Sequence, residues 1–366
     1  MSTIEPSHSL AKLLTAGVVL AFAWAVPAPA KAPHCETLKK CIVKIEVEGR
    51  DLKLDDKGLK LEQFAAVGAG VLLDMNRHVL TAAHVIGLAN IITVTGPSGG
   101  STHAHPIAQD RDADIAVLLL DEDLPGMVPA RLAPALPQPG DELWTLGHPA
   151  GLDFSLSRGI VSAVRSISDL GAVGWKGHVL QTDAAINPGV SGGGLFDTEG
   201  RLVGIAVSIL SRSGGSEGIG FGVAMDAVKD VLYASPCVWL GMDAVAVPSD
   251  GDLSRALGAP GPQGFLVQQV FPDSPARAAG LREGTIPALV GNSALLLGGD
   301  LILKINGYEE CRQACRMLRV ASGGDMPQTV NVEVWRGGKS ETVLVKVTGS
   351  HTDWGPLFAE VQDGDR

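Results

Sequence analysis

The sequence predicts an all-β-dominated protein built from antiparallel barrels or sandwiches. Short apolar runs recur along the chain and are separated by turn signals such as Gly96-Pro97, Gln138-Pro139-Gly140 and Ser213-Gly214-Gly215. Many short strands closed by such turns are the pattern of barrels and sandwiches. Stretches with helical periodicity are few. The composition agrees: 45% of residues are hydrophobic, and the 366-residue chain holds 46 glycines and 22 prolines, a well-cored protein rich in turns. Its length allows roughly two or three domains of ordinary size.

Charge excludes some partners. The formal net charge is −11 and no basic run exceeds Lys39-Lys40, which argues against nucleic acid and against anionic membrane surfaces. His103 and His105 alternate without a third ligand in a suitable cluster, so no metal site is expected. No phosphate-cradling loop is present, so neither a nucleotide nor any other cofactor is expected.

At the N-terminus Lys12 precedes an apolar run from Leu13 to Val26, and Ala28-Pro29-Ala30 supplies small residues for cleavage. This predicts an export signal peptide over 1–30. The run is short against the about 20 residues of a membrane helix, so no stable span is expected after its removal. The alternative is an uncleaved anchor holding the protein at the inner membrane, facing the periplasm. Of the five cysteines, Cys35 and Cys41 lie close enough in sequence to pair in an oxidising compartment. Cys311 and Cys315 share a helix face with Leu318 and read as buried small hydrophobes, while Cys237 has no assigned role.

Residues 41–48 alternate, with Val43, Ile45 and Val47 on one face and Lys44, Glu46 and Glu48 on the other, which is a half-buried strand. A charged loop is expected over 49–63. Strands then follow at 70–73, 78–80, 91–94, 115–120, 142–146, 159–164, 195–196, 202–207 and 220–223. Residues 224–240 read as a helix and a crossing segment. A second unit carries strands at 265–270, 301–305, 329–335 and 341–347, with helical pieces near 274–279 and 309–320. The expected division is a signal peptide at 1–30, a first domain at 31–237, a linker and second domain at 238–349 and a flexible tail at 350–366.

The candidate chemistry centres on Gln181 to Gly194, where Ser191 stands between Gly189 and Gly192-Gly193-Gly194 after a Pro-Gly turn. Glycines there permit unusual backbone angles and close approach of another chain. A serine hydroxyl needs a base to become a nucleophile, and amides to hold the oxyanion that forms. His84, in Thr81-Ala82-Ala83-His84, follows a strand among small residues that hold it at a fixed place. Asp114 opens the apolar run 115–120, and a carboxylate at the edge of a buried strand is costly unless paired, for instance with a histidine N–H. Asp114 would orient His84, His84 would take the Ser191 proton, and the amides of Gly189 and Ser191 would hold the oxyanion. Singly, each has a plain alternative: a glycine-rich surface turn, a satisfied core histidine, and a strand cap beside Asp110 and Asp112. Coincidence of all three contexts favours the catalytic reading. The Gly-x-Ser-x-Gly spacing of residues 189–193 also fits an α/β-hydrolase elbow formally. That elbow needs a preceding strand, a following helix and a late histidine, whereas only His351 follows Ser191.

Taken together, the stretches 68–74, 79–85, 113–118, 146–151, 181–194 and 218–221 resemble the HtrA (Deg) family of trypsin-fold serine proteases with a C-terminal PDZ domain. The resemblance implies a trypsin-like double β-barrel with His84, Asp114 and Ser191 between the barrels, followed by a PDZ domain. It implies a periplasmic serine endopeptidase that degrades unfolded or misfolded proteins in quality control, ATP-independent given the lack of any nucleotide motif, and a homotrimer as the default assembly. Its specificity pocket would be walled by Ile205, Ala206, Val207 and Ile219, and would favour cleavage after small or medium apolar residues. In the second domain, Gly264-Phe265-Leu266-Val267 matches the loop that binds a peptide's C-terminal carboxylate, and the helix of Cys311, Cys315 and Leu318 would line that groove. Residues 285–298 are longer than the short family form. Two departures stand beside the nucleophile: Val190 replaces the family's asparagine and Gly194 its proline, so the turn is expected to be held differently and to leave more loosely. Val190 also favours a competing reading, a non-hydrolytic chaperone or PDZ scaffold on a protease fold.

Overall fold

The computed structural model describes residues 35–55, 58–87, 89–111, 113–170, 176–209, 214–234, 240–248, 253, 257, 263–272, 274–290, 293–308 and 329–346. The expected signal peptide, the tail, Cys237, and the helix of Cys311, Cys315 and Leu318 lie outside them. A short helix α1 (Cys35–Leu38) leads into β1 (Ile42–Asp55), which pairs with β2 (Gly58–Leu72) from Ile42↔Val71 to Asp55↔Gly58. The expected loop at 49–63 is therefore largely the outer half of one long hairpin. Its charged residues masked the strand because pairing beyond the barrel leaves much of both faces in water.

The first barrel closes in the order β1-β2-β3-β6-β5-β4. It adds β3 (His78–Thr81), β4 (Ala89–Thr95), β5 (Ser101–Asp110) and β6 (Ile115–Leu120), with helix α2 (Ala83–Ile86) after β3. Strand β5 escaped the hydrophobic pattern because it is polar and contains Pro106; its register shifts between Pro106 and Ala108, where a residue without an N–H is tolerated. His103 and His105 lie in β5, and His105 meets Asp121 at 3.2 Å. The second barrel closes as β10-β11-β12-β9-β8-β7, from β7 (Glu142–Gly147), β8 (Ser155–Ser166), β9 (His178–Thr182), β10 (Gly194–Phe196), β11 (Leu202–Ile209) and β12 (Gly220–Ala224). Each barrel is filled by the inward half of its alternating residues: Ile45, Val71, Leu80 and Leu118 in the first, Leu143, Val161, Leu180 and Leu195 in the second. Helix α3 (Met225–Ala234) packs Val228, Val231 and Leu232 against this core.

The C-terminal domain is a five-stranded sheet ordered β13-β14-β17-β18-β19, with β13 (Met242–Pro248), β14 (Gln263–Val270), β17 (Leu301–Ile305), β18 (Thr329–Arg336) and β19 (Lys339–Lys346). The short helix α4 (Pro275–Ala278) is capped by the Ser274 hydroxyl, which accepts the Arg277 N–H at 3.1 Å. The longer stretch at 285–298 is a separate hairpin of β15 (Ile286–Val290) and β16 (Ser293–Leu297). Gln268 holds it, accepting the Leu296 N–H at 2.7 Å and donating to the Leu296 carbonyl at 3.0 Å. Cys35 and Cys41 are free thiols. The Cys41 thiol is buried, bonds the Leu38 carbonyl, and is pushed up to about 12 by burial, so it behaves as a small apolar side chain.

Candidate active site

His84 is fixed by its own short helix. Its backbone N–H donates to Asp114 Oδ1 at 2.9 Å, and its ring Nδ1 meets Asp114 Oδ2 at 2.7 Å. Asp114 also accepts the Ala83 N–H through its carbonyl, at 3.2 Å. It adopts a left-handed φ of 54°, a conformation aspartate tolerates better than bulkier residues. That kink brings both carboxylate oxygens onto one histidine, leaving Nε2 as the free ring atom. Such a pairing fixes tautomer and ring orientation.

Ser191 follows a tight turn. Val190 N–H donates to the Asn187 carbonyl at 2.9 Å across Pro188 and Gly189, and Gly189 has φ 97°. Proline then glycine with positive φ is a type II turn. The turn is bound from outside as well: His148 N–H donates to the Gly189 carbonyl at 3.1 Å, and Ala150 N–H to the Pro188 carbonyl at 2.8 Å. The Ser191 carbonyl accepts the Ala69 N–H at 2.8 Å from β2, and Gly192 N–H donates to Ala206 at 2.7 Å. The nucleophile candidate is thus tied to both barrels. Among the described residues the amides of Gly189 and Ser191 donate to no protein acceptor. Ser191 Oγ makes no hydrogen bond to His84 among the described contacts; such contacts commonly tighten only around substrate.

His84 and Ser191 line one cavity of about 440 Å³ with Ile186, Asn187, Pro188, Val207, Ser208, Ile209 and Gly214. Of the expected pocket residues, Val207 lines it. Ile205 and Ala206 are fully buried, Ile205 in the cluster that also holds the first barrel's core and Ala206 in the second barrel's, and neither they nor Ile219 are among its lining residues. Ile186, Ser208 and Ile209 were missed; the signals were the apolar residue three before Gly189 and the end of β11. Asn187 accepts the Ser216 N–H through Oδ1 at 2.9 Å, which ties the far wall to the turn.

Val190 is buried among Leu143, Val161, Leu180 and Leu195, so packing and the bonds from residues 148–150 replace a side-chain hydrogen bond. Gly194 is not loose: it opens β10, paired with Leu146 on one side and Ile205 on the other, and any Cβ there would strike the Phe196 ring. Gly264, Phe265, Leu266 and Val267 lie in β14, between β13 and β17. The Val267 N–H donates to Asp300 at 2.9 Å. These residues therefore cannot be the carboxylate-binding loop; an inner strand has no free edge to offer. The edge strands are β13, preceded by Leu240 and Gly241, and β19.

Residues 68–205 match the family described as trypsin-like peptidase domain, and residues 220–347 match PDZ domain. Two closed barrels with a histidine–aspartate pair and a serine, followed by a PDZ sheet, define the class: a trypsin-fold peptidase domain joined to a PDZ domain. A probable periplasmic serine endoprotease DegP-like from Marinomonas sp. (strain MWYL1) is 32% identical over 321 residues, 83% of this chain and 61% of that protein. Protease Do-like 1, chloroplastic, from Arabidopsis thaliana is 33% identical over 288 residues, 76% of this chain and 62% of that protein. Among solved structures, HtrA-type protease AlgW with tripeptide aligns over 85% of this chain and 94% of that chain at 28% identity, with a TM-score of 0.47. Across both domains the chain is similar to the HtrA (Deg) family. It spans about 61% of the length of the first of these relatives.

Proposed function

We propose that the protein is a serine endopeptidase acting on unfolded or misfolded proteins. The observation that carries this reading is the shared cavity: His84, gripped through Nδ1 by Asp114, faces the same space as Ser191. In this reading His84 Nε2 removes the Ser191 proton as Oγ attacks the scissile carbonyl. Asp114 steadies the imidazolium, and the unengaged amides of Gly189 and Ser191 receive the oxyanion. His84 then returns the proton to the leaving amine, and water repeats the sequence on the acyl-enzyme. The apolar cavity wall of Ile186, Val207 and Ile209 suits small or medium apolar side chains before the cleaved bond.

The PDZ domain binds exposed chain ends in this proposal, by addition of a strand at the open edge of β13. Val245 and Ala246 are exposed there. Export to the periplasm is part of the proposal, supported by the names of bacterial relatives and by residues 1–30. Among the described residues no helix is long and apolar enough to cross a membrane. A homotrimer is the proposed assembly, to be checked by light scattering. The domain limits proposed are 31–237 and 238–349.

Labelling by a fluorophosphonate probe tests the chemistry. Wild-type protein should be labelled and Ser191→Ala should not. An unlabelled, folded wild type would favour the binding scaffold instead.

A further inference from the structure

We propose that His148 is a positioning residue for the oxyanion turn, holding it while the ring is neutral and releasing it when the ring takes a proton. The inference rests on the endopeptidase reading above and adds a residue that the triad does not include.

His148 directly follows β7 and is 3% exposed. Its contacts with the turn are all backbone: its N–H donates to the Gly189 carbonyl, and its own carbonyl sits where a Cβ on Gly189 would have to go. Whatever moves the backbone of residue 148 therefore moves Gly189, whose amide is one of the two proposed oxyanion donors. What keeps the backbone there is the ring. It tilts against Phe154 with centroids 4.5 Å apart, and Nδ1 lies 3.3 Å from the Leu152 carbonyl. A carbonyl can only accept, so Nδ1 carries the hydrogen and Nε2 is a bare lone pair. Nε2 is buried with no partner.

Protonation would put an N–H and a positive charge on that atom, with no acceptor within reach. A buried unpaired donor is costly and a buried charge more so, so the ring would leave its seat before accepting the proton there. The charged groups facing it are few. Burial acts first, holding the ring below the ordinary histidine value. The bond to Leu152 opposes this, Lys44 on β1 adds to it, and Asp153 and Glu46 oppose it. Lys44 and Glu46 are themselves paired at 3.0 Å. The other elements packed there bring no charge: β2 presents Val67 to Gly151, and the turn contributes Asn187, Pro188, Gly189 and Val190. The sign follows. The seated ring binds protons less readily than the released ring, so the seated state is fully favoured above roughly pH 6.5 and loses ground as pH falls below it.

Two protons then limit activity on the acid side, one on His84 as base and one on His148 as support. Fluorophosphonate labelling rates of the full chain should fall about tenfold per pH unit at first and steepen toward a hundredfold as the ring is released. His148→Asn keeps a donor for Leu152 but cannot titrate, so its acid limb should stay near tenfold; His148→Gln serves if the first variant does not fold. In parallel, NMR follows the His148 ring and the Gly189 amide in wild type. The ring should stay neutral through the ordinary histidine range, and the Gly189 amide should shift together with it. An ordinary ring titration with an unmoved Gly189 amide, or equal slopes in wild type and variant, would overturn the proposal. Absence of labelling at every pH would sink the endopeptidase reading instead, and the two NMR signals would still decide for or against His148.

Discussion

His84 gives a backbone and a ring hydrogen bond to the carboxylate of Asp114, and the pairs His78 with Asp74 and His178 with Asp226 repeat that arrangement. Burial alone would raise the Asp74 carboxyl, but the His78 hydrogen bond and charge outweigh it and hold it below the usual carboxylate range. A histidine gripped by aspartate is therefore a structural device in this chain as well as a candidate catalytic one. Of these three histidines, His84 is the one that lines the 440 Å³ cavity with Ser191. Asp114→Asn should leave the fold intact and lower kcat/KM by about 10⁴, by favouring the wrong tautomer. His178→Asn should leave it unchanged; a peptide assay of both variants checks this. At position 190, asparagine would put an unpaired amide among Leu143, Val161 and Leu180. Val190→Asn should cost about 1–3 kcal/mol in urea unfolding without raising the rate. His84, Asp114 and Ser191 were legible because each stands at a strand end or turn with a distinctive local motif. Val190's role was not, since burial in the second barrel is a property of distant strands.

Among the elements, the turn at 187–190 depends on Gly189. Gly189→Ala would force a left-handed φ on alanine and drive its Cβ into the His148 carbonyl, so the amide would lose its aim. A loss of about 10²–10³ in kcat with a folded protein is expected from circular dichroism and kinetics together. In the PDZ sheet, the carboxylate of Asp300 is 1% exposed, bonding Arg336 through Nε and Nη2 at 2.7 and 2.6 Å and the Arg282 N–H at 2.9 Å. Arg336→Met would strand that carboxylate and should destabilise the domain by about 3–5 kcal/mol, read by denaturant unfolding. Strands β1, β6, β7, β11, β14 and β18 were legible from alternation or apolar runs. The outer β1–β2 hairpin, β5 and the β15–β16 hairpin were not, because polar or insertion sequences pair there through backbone bonds that leave no apolar period. The same limit explains the misplaced peptide loop: glycine before an apolar strand marks both an inner strand and a binding edge, and only pairing distinguishes β14 from β13.

Across the whole molecule, the PDZ domain is joined to the first barrel beside the segments that carry His84 and Asp114 and along β1. Arg111, three residues before Asp114 in the chain, pairs with Asp243 of β13 at 2.6 Å. Gln269 donates to the Ala89 carbonyl and, at 3.1 Å, to Asn90 Oδ1, just after the helix of His84. Glu283 meets Arg50 of β1 at 3.1 Å. Burial raises the Asp243 carboxyl although Arg111 pulls the other way, so the group holds a proton more readily docked than free. Docking should then weaken as pH rises through the carboxylate range, and Asp243→Asn should protect the joint while Arg111→Met loosens it. Hydrogen exchange at Ala89 to Ile92 reads both. The central claim is that Ser191 cleaves proteins. Its most direct test is digestion of β-casein by the purified mature protein beside Ser191→Ala. Degradation by wild type that is lost in the variant is the predicted result. Intact casein with folded wild type, or equal degradation by both proteins, would contradict it.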